Sequence, residues 1–473
     1  MASFTAESFI ISRTLSRIGY SSRIRRLKQN AFDFFTTEMN KYTQNDNSYL
    51  LCSGSKSEGL TSLNENDIDL MFVFTDILCL EYPERNSNRD HKTIFQLNKR
   101  CSAPGYAVLE LVTTCDGVYT PLFIKDFLVE IVPGEVYLSS DFWKHHIKQV
   151  FRNVCSEQNN CGFQDFSDEN HGPATVCYAF RTSCDHVSAF TCECPSYLYH
   201  WVTRERKHQW PSAELIRDVS QLESHVVPVG TKDGPLQFLE WRICYSKGEI
   251  RLIRSLNDCL AKVLVLMKAI AKGTLHPLCK EVSSYIMKNI ILWIAELYPQ
   301  ECFSETNLIT VLQFSFQFLK QCLLAEDLPS YMIPERNLFA DRLTIKQKTM
   351  LCMRIDCLLR QGPSIVLTAK NLDLRTALSM LHRTPNEFAS LHERRNINEC
   401  ACLLLIAYTL GNIAEPAAEI ETMVRNIFTD NIFLRFFQWM QEHFPEIAEA
   451  IGDDFLKYGQ DDIIEIMKLR CRR

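Results

Sequence analysis

The chain has 473 residues, of which 46% are hydrophobic, 11% aromatic and 23% charged; this balance excludes a disordered or fibrous protein and allows two or three lobes with cores of their own. A net charge of −6 means that the whole molecule is no polycation, so any nucleic-acid surface must be a local patch. The 20 cysteines accompany an N-terminus, "MASFTAESFIISRTLSRIGY", without a long apolar stretch, a pattern expected of reduced thiols in a cytoplasmic protein rather than a disulfide framework.

The first forty residues read as helix, and Arg13, Arg17, Arg23, Arg25, Arg26 and Lys28 crowd it with no acidic residue between them. From Tyr49 to about Val132, short apolar runs between polar turns ("YLLCSGS", "IDLMFVF", "YAVLELV", "FLVEIV") predict strands. Residues 153–175 are polar, with Gly and Asn, and predict a surface loop. Strand-like "HVSAF" and "HVVPVG" follow, with "WPSAELIRDV" between them as a short helix. After "PLQFLEWRICYS" the pattern is helical. "SLNDCLAKVLVLMKAIAKG" opens on a cap candidate, Ser255, and closes on Gly273. "SSYIMKNIILWIAEL" and "NLITVLQFSFQFLKQCLL" are further amphipathic helices, and beyond residue 365 come "NECACLLLIAYTLG" and "PAAEIETMVRNIF". The longest apolar stretch, "VSSYIMKNIILWIAELYP", is interrupted by Lys288 and Glu296 and is too short for a bilayer, so no membrane partner is expected. The expected fold class is α/β plus all-α, a mixed lobe followed by a helical lobe and a helical extension.

"CSGSKSEGLTSLNENDIDLMFVF" (52–74) carries the chemistry. Residues two apart on a strand face the same side, about 7 Å apart, so Asp67 and Asp69 project together while Ile68 and Leu70 turn to the core. Two carboxylates on one face repel unless a cation sits between them. Mg²⁺ suits the pair, because it takes one or two carboxylates and completes its shell with water and phosphate oxygens. Gly54 lets the backbone approach a phosphate, and the Ser55 hydroxyl and backbone N–H groups can cradle its oxygens. A Gly-Ser turn followed by two acids in an apolar strand is the signature of polymerase-β-like nucleotidyltransferases.

Five blocks, "SGSKSEG…NDIDLMF", "VVPVG…EWRICYS", "LMKAI", "SSYIMKNIILW" and "YMIPERNLF", stand in the order and spacing of the male abnormal 21-like family. That family includes cyclic GMP-AMP synthase and the animal cyclic GMP-AMP synthase-like receptors. The resemblance covers roughly residues 45–345, and "HGPA" before "DHVSAF" looks most like the variants of molluscs and other invertebrates. It implies a bilobed polymerase-β-like nucleotidyltransferase core with a twisted mixed sheet. The divisions are then a spine-like basic helix at 1–40, the core at 41–246, the helical lobe at 247–365 and a C-terminal extension at 366–473. Gly54 and Ser55 match the family's phosphate-binding turn, and Asp67 and Asp69 its first two metal ligands. Asp185, in "CDHVSAF", is the candidate third acid, although His186 stands where the family has a hydrophobic residue. Lys268 and Ser284 match positions that contact the triphosphate, Tyr285 an aromatic that stacks on a base, and Arg242 a base-contacting arginine.

The implied activity is synthesis of a cyclic dinucleotide messenger from ATP, GTP or other NTPs in innate immunity, with two Mg²⁺ or Mn²⁺ ions. Cys244 in place of a serine, and Ile250 in place of a phosphate-contacting lysine, leave the bases and the linkage open. The vertebrate zinc insertion is absent between Ser246 and Lys268, so no zinc is expected, and "CEC" at 192–194 reads as free thiols. The resemblance implies that the six basic residues named above correspond to the family's nucleic-acid-binding spine, extended by "TRERKHQW" (203–210), with double-stranded RNA or DNA as the activating ligand and a ligand-induced dimer. The alternative is a non-catalytic scaffold of the same family; a constitutive RNA-tailing enzyme would share the acids but not the "SSY" and "IPERNLF" blocks.

Overall fold

The computed structural model describes residues 4–43, 47–61, 67–85, 93–114, 122–157, 174–179, 182–340, 342–411 and 432–449. The expected N-terminal helix is present in two pieces, α1 (Thr5–Leu15) and α2 (Ser22–Thr43), joined by a wide turn in which Gly19 has φ +110°. Among the described residues ten strands follow in a mixed lobe: β1 (Ser48–Ser53), β2 (Asp67–Leu80), β3 (Thr93–Asn98), β4 (Tyr106–Thr113), β5 (Leu128–Val132), β6 (Glu135–Leu138), β7 (Thr175–Ala179), β8 (Thr182–Glu193), β9 (Ser224–Val227) and β10 (Glu240–Cys244). Between them lie the helical turn α3 (Gly54–Ser57), α4 (Ser140–Glu157), α5 (Pro195–Thr203) and α6 (Ala213–Ser220). The expected loop at 153–175 is helical to Glu157, and its remainder lies mostly outside the described residues.

The sheet is built on β2, the longest strand. β1 pairs antiparallel with its first half, β3 parallel with its last residues, and β8 parallel along most of its length. Strand pairing continues β3–β4–β10–β9–β8, so the path returns to β2 and closes. A register shift between Phe74 and Leu78 bends β2 where its partners change, the usual effect of a bulge. One face carries the main core: Phe190, Trp241, Ala107 and Trp143 of α4 are fully buried there. The opposite face carries a small cluster of Met71, Val73, Ala189 and Val227, and beyond it the acids.

From Ser246 the chain is helical: α7 (Ser246–Arg254), α8 (Asp258–Thr274), α9 (Ser284–Leu297), α10 (Leu308–Ala325), α11 (Ile345–Leu359), α12 (Leu374–Arg383), α13 (Pro385–Gly411) and α14 (Ile432–His443). Helix α8 is apolar on every side, the mark of a central helix. In its run Cys259–Ala271 every residue is buried except Lys268. Its cap is Asn257, whose side chain accepts from Leu260 N at 2.9 Å, rather than Ser255, and it runs through Gly273 to Thr274. Residues 305–325 are, by length and composition, apolar enough to cross a membrane, which the expectation above overlooked. Here they pack as α10, with Leu312, Phe316 and Leu319 fully buried. The helix expected at "PAAEIETMVRNIF" lies outside the described residues. The extension packs on α2, where Ile24, Leu27 and Ala31 share a cluster with Ile397, Leu404, Phe436 and Met440.

Candidate active site

β1 ends at Ser53 and the chain turns through Gly54 into α3. Gly54 has φ +72°, a left-handed backbone natural to glycine. Its lack of a side chain also answers a spatial need, because a Cβ there would lie 1.6 Å from Asp69 Oδ2. The small turn and the Asp69 carboxylate are therefore packed directly together.

Register brings in the next acid. Asp69 pairs with Ser53 of β1 on one side and with Asp185 of β8 on the other. In-register neighbours on adjacent strands share a face, and adjacent strands lie about 4.8 Å apart. Asp69 and Asp185 thus flank one another, and Asp67, two residues earlier on β2, belongs to the same face by alternation. The Asp67 side chain lies outside what the structure describes, and among the described residues no group of three or more His, Cys, Asp or Glu gathers as a metal cluster. The donor chemistry fits a hard cation: carboxylate oxygens side by side, with a glycine turn against one of them.

Charged helices close over the turn. Lys268, the half-buried residue in the run Cys259–Ala271 of α8, hydrogen-bonds Ser55 Oγ. Lys288 of α9 pairs with Glu58 at 2.5 Å, both side chains largely buried. Burial alone would lower the Lys288 pKa, but Glu58 and, more weakly, Asp69 hold it above its ordinary value. Arg254 donates to the Ser57 carbonyl from Nε at 2.9 Å and from Nη2 at 2.6 Å, and grips both Asp33 oxygens. From α2, Gln29 donates to the Glu58 carbonyl at 2.9 Å and Lys28 to that of Thr61 at 3.0 Å. The turn is clasped by four helices, so its position is set by the junction of the two lobes.

Farther along the same face, Ala189, Val227, Arg242 and Tyr106 stand in register across β8, β9, β10 and β4. Arg242 is therefore on the acid side of the sheet. Burial would lower its pKa, but Cys244 and Tyr106 outweigh that and raise it. Tyr285, half-buried near the start of α9, donates its hydroxyl to Glu249 Oε1 at 2.9 Å. Burial pushes both the Tyr285 hydroxyl and the Glu249 carboxyl upward. Ser284 is exposed at the first position of α9. Glu58, Lys288 and Glu249 were missed in the sequence. Lys288 had a signal, lying four residues after Ser284 and so on the same helix face.

The basic residues of α1 and α2 do not form one free stripe. Arg13 and Arg26 are exposed, Arg13 lying over the Phe9 ring at 5.4 Å, and Arg17 is half-buried. Arg23 is exposed but held by Glu393 at 2.5 Å and Glu446 at 2.9 Å. Arg25 and Lys28 correct the expectation outright in one respect: both are buried, Arg25 against Asp258 at 3.3 Å and Lys28 among backbone carbonyls. The helix has to pack on the Gly54–Ser57 turn, and these two side chains satisfy that packing. In "TRERKHQW", Arg204 and Arg206 likewise turn inward to Glu296, at 2.7 and 3.1 Å.

The mixed lobe and the helices that close over it go with a nucleotidyltransferase-like protein. Residues 259–357 match the family model described as the Mab-21 protein HhH/H2TH-like domain. The matched span runs from α8 into α11 and so contains Lys268, Ser284, Tyr285 and Lys288; it supports membership of the Mab-21 family.

Proposed function

We propose that this protein is a cyclic GMP-AMP synthase-like receptor, a nucleotidyltransferase that joins two NTPs into a cyclic dinucleotide when a double-stranded nucleic acid binds. The observation that carries the reading is the in-register pairing of Asp69 with Asp185, with Gly54 seated against the Asp69 carboxylate.

Asp67, Asp69 and Asp185 would hold Mg²⁺ or Mn²⁺, which when bound supplies positive charge to the attacking hydroxyl and to the departing pyrophosphate. The chain's own residues do the rest. The Gly54–Ser55 turn and Lys268 take the phosphate oxygens, so the Ser55–Lys268 hydrogen bond is the contact a triphosphate would enter. Tyr285 offers a stacking face to a base and Arg242 donors to a base edge. In each of two successive steps a ribose hydroxyl attacks an α-phosphorus, the new O–P bond forms, the P–O bond to pyrophosphate breaks, and the hydroxyl proton passes to an adjacent carboxylate; the second step closes the ring and releases the second pyrophosphate. Holding both reactants in line over one sheet face is the main catalytic device. Double-stranded RNA or DNA would meet the exposed arginines of the N-terminal helices, Arg13 and Arg26, through phosphates and without reading sequence.

The test is incubation of the purified protein with labelled NTPs and Mg²⁺ or Mn²⁺, alone and with double-stranded RNA or DNA. The expected result is a phosphatase-resistant small product that the Asp67→Asn/Asp69→Asn variant does not make. No product under any condition, or the same product from the variant, would refute the proposal.

A further inference from the structure

Helix α2 is covered along two of its sides. Toward the candidate site, Arg25, Lys28 and Gln29 are buried against Asp258, Thr61 and Glu58. Toward the C-terminal extension, Ile24, Leu27 and Ala31 are buried in one cluster with Ile397 and Leu404 of α13 and Phe436 and Met440 of α14. Phe34 continues that side, its ring centroid 4.6 Å from that of Trp439. The exposed residues of the segment 22–37 are Ser22, Arg23, Arg26, Asn30, Asp33 and Thr37. At 3.6 residues per turn these fall in one stripe roughly 100° wide, with Arg23 at the edge that borders the extension.

The extension also takes the charge of that edge. Arg23 donates from Nη1 to Glu393 Oε1 at 2.5 Å and from Nε to Glu446 Oε2 at 2.9 Å. Glu393 belongs to α13 and Glu446 follows α14, so two parts of the extension converge on one guanidinium. The three side chains are 48%, 46% and 56% exposed, where solvent and salt screen the pairs and leave them a small part in stability. Asp33, farther along the stripe, holds Arg254 outside it. Among the described residues Arg26 is then the one cation of the stripe without an ion pair. Of Arg23, Arg25, Arg26 and Lys28, the docked extension and the core leave a single arginine of α2 for an incoming phosphate backbone.

A further contact keys the extension to the bend between α1 and α2. Gly19, at φ +110°, lies against Asn396 of α13: a Cβ there would stand 2.5 Å from Asn396 Oδ1 and Nδ2. Asn396 is buried and donates to His392 O at 2.7 Å, so it is tied to its own helix. The angle between α1 and α2 and the seat of α13 are thus one packing arrangement. A duplex approaching the stripe meets Arg26 and, beside Arg23, two carboxylates of the same sign as its phosphates, which repel it. The guanidinium fork that holds carboxylates suits phosphate oxygens equally well, so one set of acceptors can replace the other.

We propose that the C-terminal extension is an autoinhibitory cap on α2, in which Glu393 and Glu446 compete with a nucleic-acid backbone for Arg23 and yield it when the nucleic acid binds. The proposal rests on the nucleic-acid-activated reading above, and its test needs no turnover. Binding of a labelled RNA or DNA duplex to the full chain is measured by fluorescence anisotropy at fixed salt. Glu393→Gln/Glu446→Gln should bind roughly three- to tenfold more tightly than the wild-type chain, the gain of about one freed phosphate contact. Adding Arg23→Gln to that variant should cancel the gain. Glu442→Gln/Glu449→Gln removes the same charge from exposed positions of the extension outside the clasp, and should gain little. Hydrogen exchange reads the cap itself: a saturating duplex should deprotect residues 397–404 of α13 in the wild-type chain. A gain in the clasp variant no larger than in this control, a gain that survives Arg23→Gln, or unchanged protection of 397–404 with duplex bound would overturn the cap alone. Binding of neither duplex to the wild-type chain or to any variant would overturn the nucleic-acid-activated reading with it.

Discussion

The Gly54→Ala substitution separates backbone cost from active-site geometry. At φ +72° an alanine pays roughly 1–2 kcal/mol for the left-handed backbone. It also brings a Cβ to 1.6 Å from Asp69 Oδ2, where real Cβ contacts essentially never fall below 3.0 Å. The carboxylate or the turn must therefore retreat by about 1.4 Å, several times the tolerance of about 0.5 Å within which reacting groups are held. Displacements near 1 Å cost on the order of a hundredfold in rate. The control is Gly134→Ala, at φ +89° with nothing within 4 Å of the new Cβ, which pays the backbone term alone. Urea unfolding should show a loss of roughly 1–2 kcal/mol in Gly134→Ala and a larger one in Gly54→Ala, which adds the clash, while dinucleotide synthesis falls about a hundredfold or more in Gly54→Ala only. Equal activity in the two variants would refute the direct packing of Gly54 on a working carboxylate.

Lys288→Met strands the buried Glu58 carboxylate, and urea unfolding should show a loss of about 3–5 kcal/mol, partly restored by Glu58→Gln in the same chain. His225 is fully buried with its pKa lowered to about 4, so the folded state keeps it neutral while the unfolded state titrates near 6.5. Its contribution is then intact above about pH 6.5 and declines as pH falls toward 4, by up to about 3 kcal/mol, a slope that His225→Phe should remove from the pH–stability curve. Arg25→Glu places a second anion against Asp258 and should destabilise the fold by more than about 3 kcal/mol. Arg26→Glu, at an exposed position, should leave stability within about 0.5 kcal/mol and reduce the salt slope of nucleic-acid binding.

Much of the chain was readable from pattern. The alternation around "IDLMFVF" requires a strand with its two aspartates on one face, because side chains alternate with period two whatever surrounds them. The high apolar content of "DCLAKVLVLMKAI" favours a central helix, and of its two lysines Lys262 is buried and ion-paired while Lys268 is half-buried toward the Gly-Ser turn. Boundaries were less secure: Asn257 took the cap from Ser255, since either short polar side chain can accept the first free N–H.

What the sequence by itself determined is local: the Gly-Ser turn, the carboxylate strand, the basic N-terminal helix and the order of helices after residue 246. Pairing belongs to the tertiary structure. Only the parallel register of β2 with β8 sets Asp185 beside Asp69, more than a hundred residues away, because register is settled by which faces can be buried together. Only the docking of α2 decides that Arg25 and Lys28 are spent inside the fold while Arg13 and Arg26 face outward, since a run of arginines looks the same on either side of a helix.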